Sequence, residues 1–461
     1  MRLFIALLIG KFLMFLTRKT KKGGGTALPG LIALKIDPRL VKKITAKLQM
    51  GAILVTGTNG KTTTSKYIFE ILRQAGFKVI SNRAGSNLMR GVASTLIEES
   101  TIFGRPRGNI GLFEIDEAAM PDATKFLSPK IIIVNNLFRD QLDRYGELDK
   151  TAALISDSIK DLKNITLLLN ADDPLVASLG KNVGSLTTVL YFGLEEDNYK
   201  ASSLASFDSK DCLLCGQELI FDKRYYGHLG IYHCSNCKFA RPEPDFIASG
   251  IEINGVKSAK ANFSHANDIL ATQLKLSGIY NIYNALSAYA AAKVLDIDNN
   301  TIQQTLEVVA AAFGRMERVE VDDKEAYIML IKNPIGFTQV IETLSTDPTS
   351  KDFFIALNDN FADGTDISWI WDADLESLSK DFKFIVSSGI RAADMTLRLK
   401  YTDLDAKKIE TINNIPEAFE KALSLMGNNE TLYVMPTYTA MFELRNYLKN
   451  KGVVLDFWEE Q

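Results

Sequence analysis

Residues 52–76, AILVTGTNGKTTTSKYIFEILRQAG, pass from an apolar stretch through a glycine-bearing turn into a segment whose apolar residues recur at helical spacing. A short apolar run followed by such a turn and an amphipathic helix is a strand–loop–helix unit. That order brings backbone N–H groups and the positive end of a helix to one point, where phosphate oxygens can be held. Within GTNGKTTT (57–64), Lys61 is placed to reach terminal phosphates and the Thr62 hydroxyl to reach Mg²⁺, while Gly57 and Gly60 allow close backbone approach. The general phosphate-loop pattern asks for glycine five residues before Gly60, and this chain has Val55 there, so a bare pattern search misses the loop. A chance Lys-Thr pair after a turn is the competing explanation, and the strand before and helix after weigh against it.

Further strand-like runs follow at 109–116 (NIGLFEID), 130–137 (KIIIVNNL) and 165–173 (ITLLLNADD), with helix-compatible stretches such as 147–163 between them. Strands alternating with helices imply an α/β fold with a mostly parallel sheet covered on both faces. An Ala-rich helix at 281–295 and a second helix at 299–312 close this unit near Arg315. From about 320 the alternation restarts with FFIAL (353–357), FKFIVSSG (382–389) and TLYVMPTY (431–438), which predicts a second, Rossmann-like α/β domain. The expected boundaries are an N-terminal helical segment at 1–49, an ATP-binding domain at 50–315 with an insertion at 202–244, and a C-terminal domain at 316–461.

A chain of 461 residues is too long for one ordinary core, which agrees with this division. Its 53 Lys+Arg against 56 Asp+Glu give a net charge of -3, so no overall basic field attracts nucleic acid. The N-terminal run MRLFIALLIGKFLMFL (1–16) is interrupted by Lys11 and followed by TRKTKK, too short to span a bilayer and without a small-residue cleavage site. It reads either as a helix packed on the body of the protein or as one that touches a membrane surface.

The chain has four cysteines, too few for a multi-disulfide scaffold. They form two Cys-x-x-Cys knuckles, CLLC (212–215) and CSNC (234–237), separated by eighteen residues. That spacing favours tetrahedral Zn²⁺ on Cys212, Cys215, Cys234 and Cys237 over two disulfides or free thiols. Four thiolates leave no open coordination position, so the metal would fold the insertion rather than catalyse. His233, beside Cys234, reads as a bystander.

AILVTGTNGKTTT resembles the ATP loop of the Mur ligase family, which shares its ligase core with folylpolyglutamate synthases, and other segments agree in order. FEIDEA (113–118) is similar to the strand end that supplies a magnesium-binding carboxylate, implying Glu114, and NADDP (170–174) to the family's sheet-edge turn. LSGIYNIYNALSAYAAA (276–292) resembles the helix start that holds adenine, implying Asn281 and Asn284. GRMER (314–318) resembles the turn whose arginine meets the γ-phosphate, implying Arg315. With the loop residues Gly57, Thr58, Asn59, Gly60, Lys61, Thr62 and Thr63, these make up the ATP and magnesium site that the resemblance implies.

Two departures narrow the resemblance. NNLFRDQLDRYGE (135–147) has Gln141 where peptide-bond-forming members carry a metal-binding histidine, and the position of their carbamoylated lysine falls on Ile155. Both point to the MurT branch, which has the RDQLDR sequence, a four-cysteine insertion and a distinct C-terminal domain with the run ALND to SWIWD (356–372). That branch implies ATP-dependent amidation of the D-glutamate α-carboxylate of the lipid II stem peptide, in peptidoglycan synthesis at the cytoplasmic face of the plasma membrane. Glutaminase chemistry of the usual kind needs a Cys nucleophile with a His base. The knuckles claim every cysteine, so a separate GatD-type glutamine amidotransferase is the expected partner.

In IALNDNFADGTDISWIWD (355–372), the aspartates Asp359, Asp363, Asp366 and Asp372 read by themselves as turn formers. The resemblance implies that one of them, Asp366 first and Asp359 next, orients the partner's histidine, and that Lys332, Asn333 and Pro334 approach the nucleotide. Two other functions remain open at this point: a single-chain Mur-type amino-acid ligase or folylpolyglutamate synthase, and a zinc-ribbon ATPase that binds nucleic acid or protein without ligating anything.

Overall fold

The computed structural model describes all residues except 20–26, 83–85, 140–147, 197–210, 310–313, 348–350, 379–381, 428–429 and 455–461. Its larger sheet contains β1 (Ala52–Thr56), β2 (Val79–Ser81), β3 (Ile110–Glu114), β4 (Pro129–Val134), β5 (Ile165–Asn170) and β6 (Thr187–Leu194). A hairpin, β7 (Leu219–Tyr226) and β8 (Leu229–Cys234), stands apart, and β9 (Phe246–Asn254), β10 (Ser258–His265) and β11 (Asp268–Leu274) complete the sheet. The strand order is β11-β10-β9-β6-β5-β4-β1-β3-β2. Every pair from β2 to β9 is parallel, and β9, β10 and β11 pair antiparallel.

The central strands β1 and β3 are buried at every residue, as expected where helices cover both faces of a parallel sheet. β1 lies between β3 and β4, so chain order reverses beside it and a crevice opens at its C-terminal end. The phosphate loop begins there. The helix Lys61–Gln74 packs against Ile279–Val294, whose alanines let the two backbones come close.

The expected strands and helices occur close to their predicted limits, and β9 to β11 extend the sheet through a stretch for which the sequence reading named no element. Their residues alternate between buried and exposed, the pattern of a sheet covered on one face. The second predicted helix ends at Val308, earlier than the expected 312, with residues 310–313 outside the description.

The C-terminal sheet contains β12 (Arg315–Val321), β13 (Lys324–Met329), β14 (Lys351–Ala356), β15 (Phe382–Ser388), β16 (Ile409–Thr411) and β17 (Thr431–Pro436). They are ordered β12-β13-β17-β14-β15-β16, with all neighbours parallel except β12 and β13. At the N-terminus, the helix Arg2–Lys19 lies on Leu28–Ile36 and Met89–Glu98. Among the described residues no helix is long and apolar enough to cross a membrane.

Candidate active site

At the end of β1 the chain must turn without obstructing the crevice. Gly57 has φ +121°, and a Cβ there would lie 2.8 Å from the Asn136 carbonyl oxygen; Gly60, at φ +85°, caps the helix that follows. Both positions therefore need glycine. The loop is anchored to the segment after β4: Thr58 N–H donates to Asn136 O at 2.8 Å, and Asn59 N–H to Asn136 Oδ1 at 2.9 Å. The Thr58 side chain turns away from the pocket, donating to Phe138 O and accepting from Phe138 N–H.

Lys61 Nζ folds back onto Gly57 O at 2.5 Å and pairs with Glu117 at 3.1 Å. Burial alone would lower its pKa, but the carboxylates of Glu117, Glu114 and Asp116 outweigh that and hold it above the ordinary lysine value. The ammonium is thus fixed as a cation. Thr62 Oγ1 donates to Glu114 Oε2 at 2.8 Å, so the two predicted magnesium residues already touch. Burial raises the Glu114 pKa, opposed by Lys61, the Thr62 hydroxyl, Arg315 and Lys332. A hydroxyl and a buried carboxylate side by side, among cations, fit an oxygen-liganded Mg²⁺ beside phosphates.

The pocket beyond the loop draws on distant parts of the chain. Asn59, Gly60 and Thr63 line it with Asn284, Arg315 and Tyr226. Asn281 lies behind Asn284, donating to Ser277 O and accepting from Asn284 Nδ2, and does not itself line the pocket. Ile335 and Gln339 enter from the C-terminal domain, and Asn333 Nδ2 donates to Asn59 Oδ1 at 3.2 Å. Lys332 Nζ reaches Thr58 O at 3.3 Å. Pro334 starts the helix that follows.

Sequence reasoning missed Glu117, Asn135, Asn136, Tyr226 and His228. Glu117 was visible within FEIDEA, three residues after the carboxylate that was chosen, and Asn135 and Asn136 form a polar pair directly after an apolar strand. Asn135 Nδ2 donates to Thr64 Oγ1 at 3.0 Å. Tyr226 and His228 had no sequence signal, because they occupy the tip of the insertion hairpin. His228 is fully buried, its ring 4.7 Å from that of Phe138 and its Nε2 3.4 Å from Asp173 Oδ2. Asp173, from NADDP, also caps the helix Pro174–Leu179 and accepts from Leu137 N–H, so this turn ties β5, the loop after β4 and the hairpin together.

At the other end of the hairpin the four cysteine Sγ atoms lie within 4.8 Å of one another. Cys212–Cys237 and Cys215–Cys234 are 3.5 Å apart, far beyond a disulfide bond and close to the roughly 3.8 Å edge of a tetrahedron with Zn–S near 2.3 Å. The residues present therefore fit a structural zinc. His233 stands outside the group, its Nδ1 2.9 Å from Asp222.

The aspartates of 355–372 do not converge. Asp359 pairs with Arg391, Asp363 is bound by Thr439, and Asp372 meets Arg139 of the ATP domain at 2.5 Å. Asp366 is exposed, and its Oδ1 accepts from Ser368 N–H at 2.8 Å, a bond that holds its pKa below the usual carboxylate value. Asp140, Gln141 and Leu142 fall outside the described residues. Ile155 is fully buried among apolar side chains.

Residues 55–237 match the Mur ligase middle domain, and residues 330–441 match the MurT ligase C-terminal family. The Streptococcus pneumoniae protein named lipid II isoglutaminyl synthase (glutamine-hydrolyzing) subunit MurT is 34% identical, over 94% of this chain and 95% of its own length. The chain belongs to the MurT family. A Staphylococcus aureus member is 35% identical over 96% of both chains. The fold of the family extends to more distant ligases: the structure of a pseudomurein peptide ligase type C from Methanothermus fervidus superposes with a TM-score of 0.67 at 23% identity, covering 94% of this chain and 85% of that one.

Proposed function

We propose that this chain is the ATP-dependent ligase subunit of a lipid II isoglutaminyl synthase. It converts the α-carboxylate of D-glutamate in the lipid II stem peptide to the D-isoglutamine amide. The γ-phosphoryl group of ATP passes to a carboxylate oxygen, giving an acyl phosphate and ADP. Ammonia then adds to the acyl carbon and inorganic phosphate leaves. Such a reaction needs positioning and charge neutralisation rather than a covalent residue. Lys61 and Arg315 would hold the terminal phosphates, and Thr62 with Glu114 would hold Mg²⁺, which supplies further positive charge there.

The observation that carries this reading is that Lys61 and Arg315, from separate segments, both act on the buried Glu114 of the Thr62–Glu114 pair, with Arg315 also lining the pocket beside the loop, in a member of the MurT family.

The ammonia source is a separate GatD-type glutamine amidotransferase. All four cysteines of the chain gather in the hairpin cluster, which leaves no thiol for a glutaminase nucleophile. Near the acidic loop, Phe361, Trp371, Ile390, Leu397 and Tyr401 are large apolar side chains exposed to solvent, a surface suited to a protein partner. Asp366 would orient the partner's histidine from this surface, as a triad carboxylate does. Zn²⁺ on the four cysteines would stabilise the insertion. The work is cytoplasmic, at the inner face of the plasma membrane, where the lipid-linked acceptor is presented.

The test is to incubate the chain with ATP, lipid II and ammonium, with and without a candidate amidotransferase. Mass spectrometry should find the small mass decrease of a carboxylate turned into an amide, and glutamine should replace ammonium only when the amidotransferase is present. Incorporation of an amino acid in place of ammonia would overturn the assignment.

A further inference from the structure

The N-terminal helix, Arg2–Lys19, is apolar on two opposite faces, and only one of them is buried against the rest of the described chain. Ala6, Leu7 and Gly10 are buried against the body of the protein, and Lys11 Nζ is fixed there by donating to Ile97 O at 2.6 Å. The opposite face presents Phe4, Leu8, Phe12 and Phe15, which are 40%, 51%, 60% and 63% exposed. Spacings of four, four and three residues put these side chains in one stripe along the helix. Phe103, 69% exposed, lies with its ring 6.1 Å from that of Phe4 and widens the stripe. Leu31, on the adjoining helix, is exposed as well.

Charge is concentrated at the same end of the chain. Residues 1–50 contain eleven Lys and Arg and one acidic residue, Asp37, while the whole protein has a net charge of -3. The rest of the chain is therefore acidic on balance. Asp37 is buried and paired with Lys43 at 2.6 Å, so it offers no free negative charge at the surface. Lys35, Lys42 and Lys47 are exposed, and Arg105 follows Phe103.

We propose that the outward face of this helix, with Phe103, is a docking surface for an anionic lipid bilayer. An apolar stripe within a strongly basic segment, with Lys47 Nζ on the Gly104 carbonyl beside Phe103, matches the acyl boundary and anionic headgroups of a cytoplasmic leaflet. A second copy docked through the same face would set two strongly basic segments against each other, which like-charge repulsion opposes. No described helix is long and apolar enough to cross the membrane, so this one lies in the interface plane. The reaction proposed above would gain from this, because a lipid-linked acceptor diffuses in two dimensions past a protein held at the surface.

The inference does not depend on that reaction, since the test contains no ATP and no acceptor. The full chain is co-sedimented with vesicles of phosphatidylcholine alone and with vesicles containing phosphatidylglycerol. The expected result is binding to the anionic vesicles that weakens with salt and falls about tenfold or more in the double variant Phe12→Glu, Phe15→Glu. Both positions are exposed, so a thermal melt should match wild type. A second variant, Lys35→Glu with Lys42→Glu, should weaken binding to anionic vesicles and leave the melt unchanged. Wild-type protein that stays in solution with both vesicle types would overturn the proposal. So would undiminished vesicle binding by the Phe12, Phe15 variant, or a self-association, seen by sedimentation velocity, that the variant abolishes without any vesicle binding.

Discussion

The cluster around Lys61, beside the pocket, and the acidic loop at 355–372 both hold charged side chains that the sequence singled out, and they are built in opposite ways. In the cluster the groups touch one another away from bulk water: Lys61 on Glu117, Thr62 on Glu114, with Arg315 and Lys332 near enough to oppose the rise in the Glu114 pKa. In the loop each aspartate is tied to a different neighbour, and Asp366 faces solvent. Low dielectric makes the first arrangement strong and self-contained. The second gains such strength only when another surface covers it and excludes water. The cluster at Lys61 and the half-site proposed for the loop thus differ in burial and mutual contact, not in residue type.

The most severe way to break this contrast is to damage the cluster. Lys61→Ala removes the cation proposed to meet the phosphates and takes from Glu117 its ion-pair partner and from Glu114 a nearby positive charge. Amidation should fall by about a thousandfold with either ammonium or glutamine as donor. Steady-state rates with both donors check this, and loss with only one of them would contradict the idea that the pocket serves the common step.

The half-site predicts a split instead. Asn at position 366 can still accept the Ser368 N–H bond, so Asp366→Asn removes the charge and keeps the turn. Glutamine-dependent amidation should drop by about a hundredfold, while amidation with concentrated ammonium stays near wild type. A turn former alone would leave both unchanged, and the same split obtained with Asp359→Asn in its place would move the role to that residue.

The smallest effect sharpens the contrast by asking how self-contained the pocket is. Tyr226 lines it from the tip of the hairpin whose other end carries the cysteines. Elemental analysis of protein purified without chelator should find about one zinc per chain, and Cys212→Ser with Cys215→Ser should release it. The KM for ATP should then rise by a few-fold to about tenfold, because the hairpin loses the cross-link that orients its tip. An unchanged KM in the zinc-free protein would show that the hairpin tip is held by its own packing on Phe138, Tyr283 and Asp173.

Much of the pocket was legible because its chemistry depends on local order. Strand, glycine turn and helix fix where Lys61 and Thr62 point, and the spacing of two Cys-x-x-Cys knuckles announces the cluster of four cysteines. What was illegible came from elsewhere in the chain. Asn333 reaches Asn59 across 274 positions, and Arg139 reaches Asp372 across 233. No periodicity or motif spacing records such pairs. The antiparallel strands β9 to β11 were missed for a different reason: their alternation was present, but the reading sought the buried runs of a parallel sheet.

The sequence by itself determined the α/β alternation, the phosphate loop with its two obligatory glycines, the cysteine knuckles and a basic, apolar N-terminus. Each follows from interactions between residues close in the chain, where backbone geometry sets what can touch. Only the tertiary structure decided that Glu117 holds Lys61, that Tyr226 from the hairpin of the cysteine insertion lines the pocket, and that one face of the first helix is left exposed. Those outcomes depend on how separately formed elements pack, and packing selects partners by shape and burial across the whole chain.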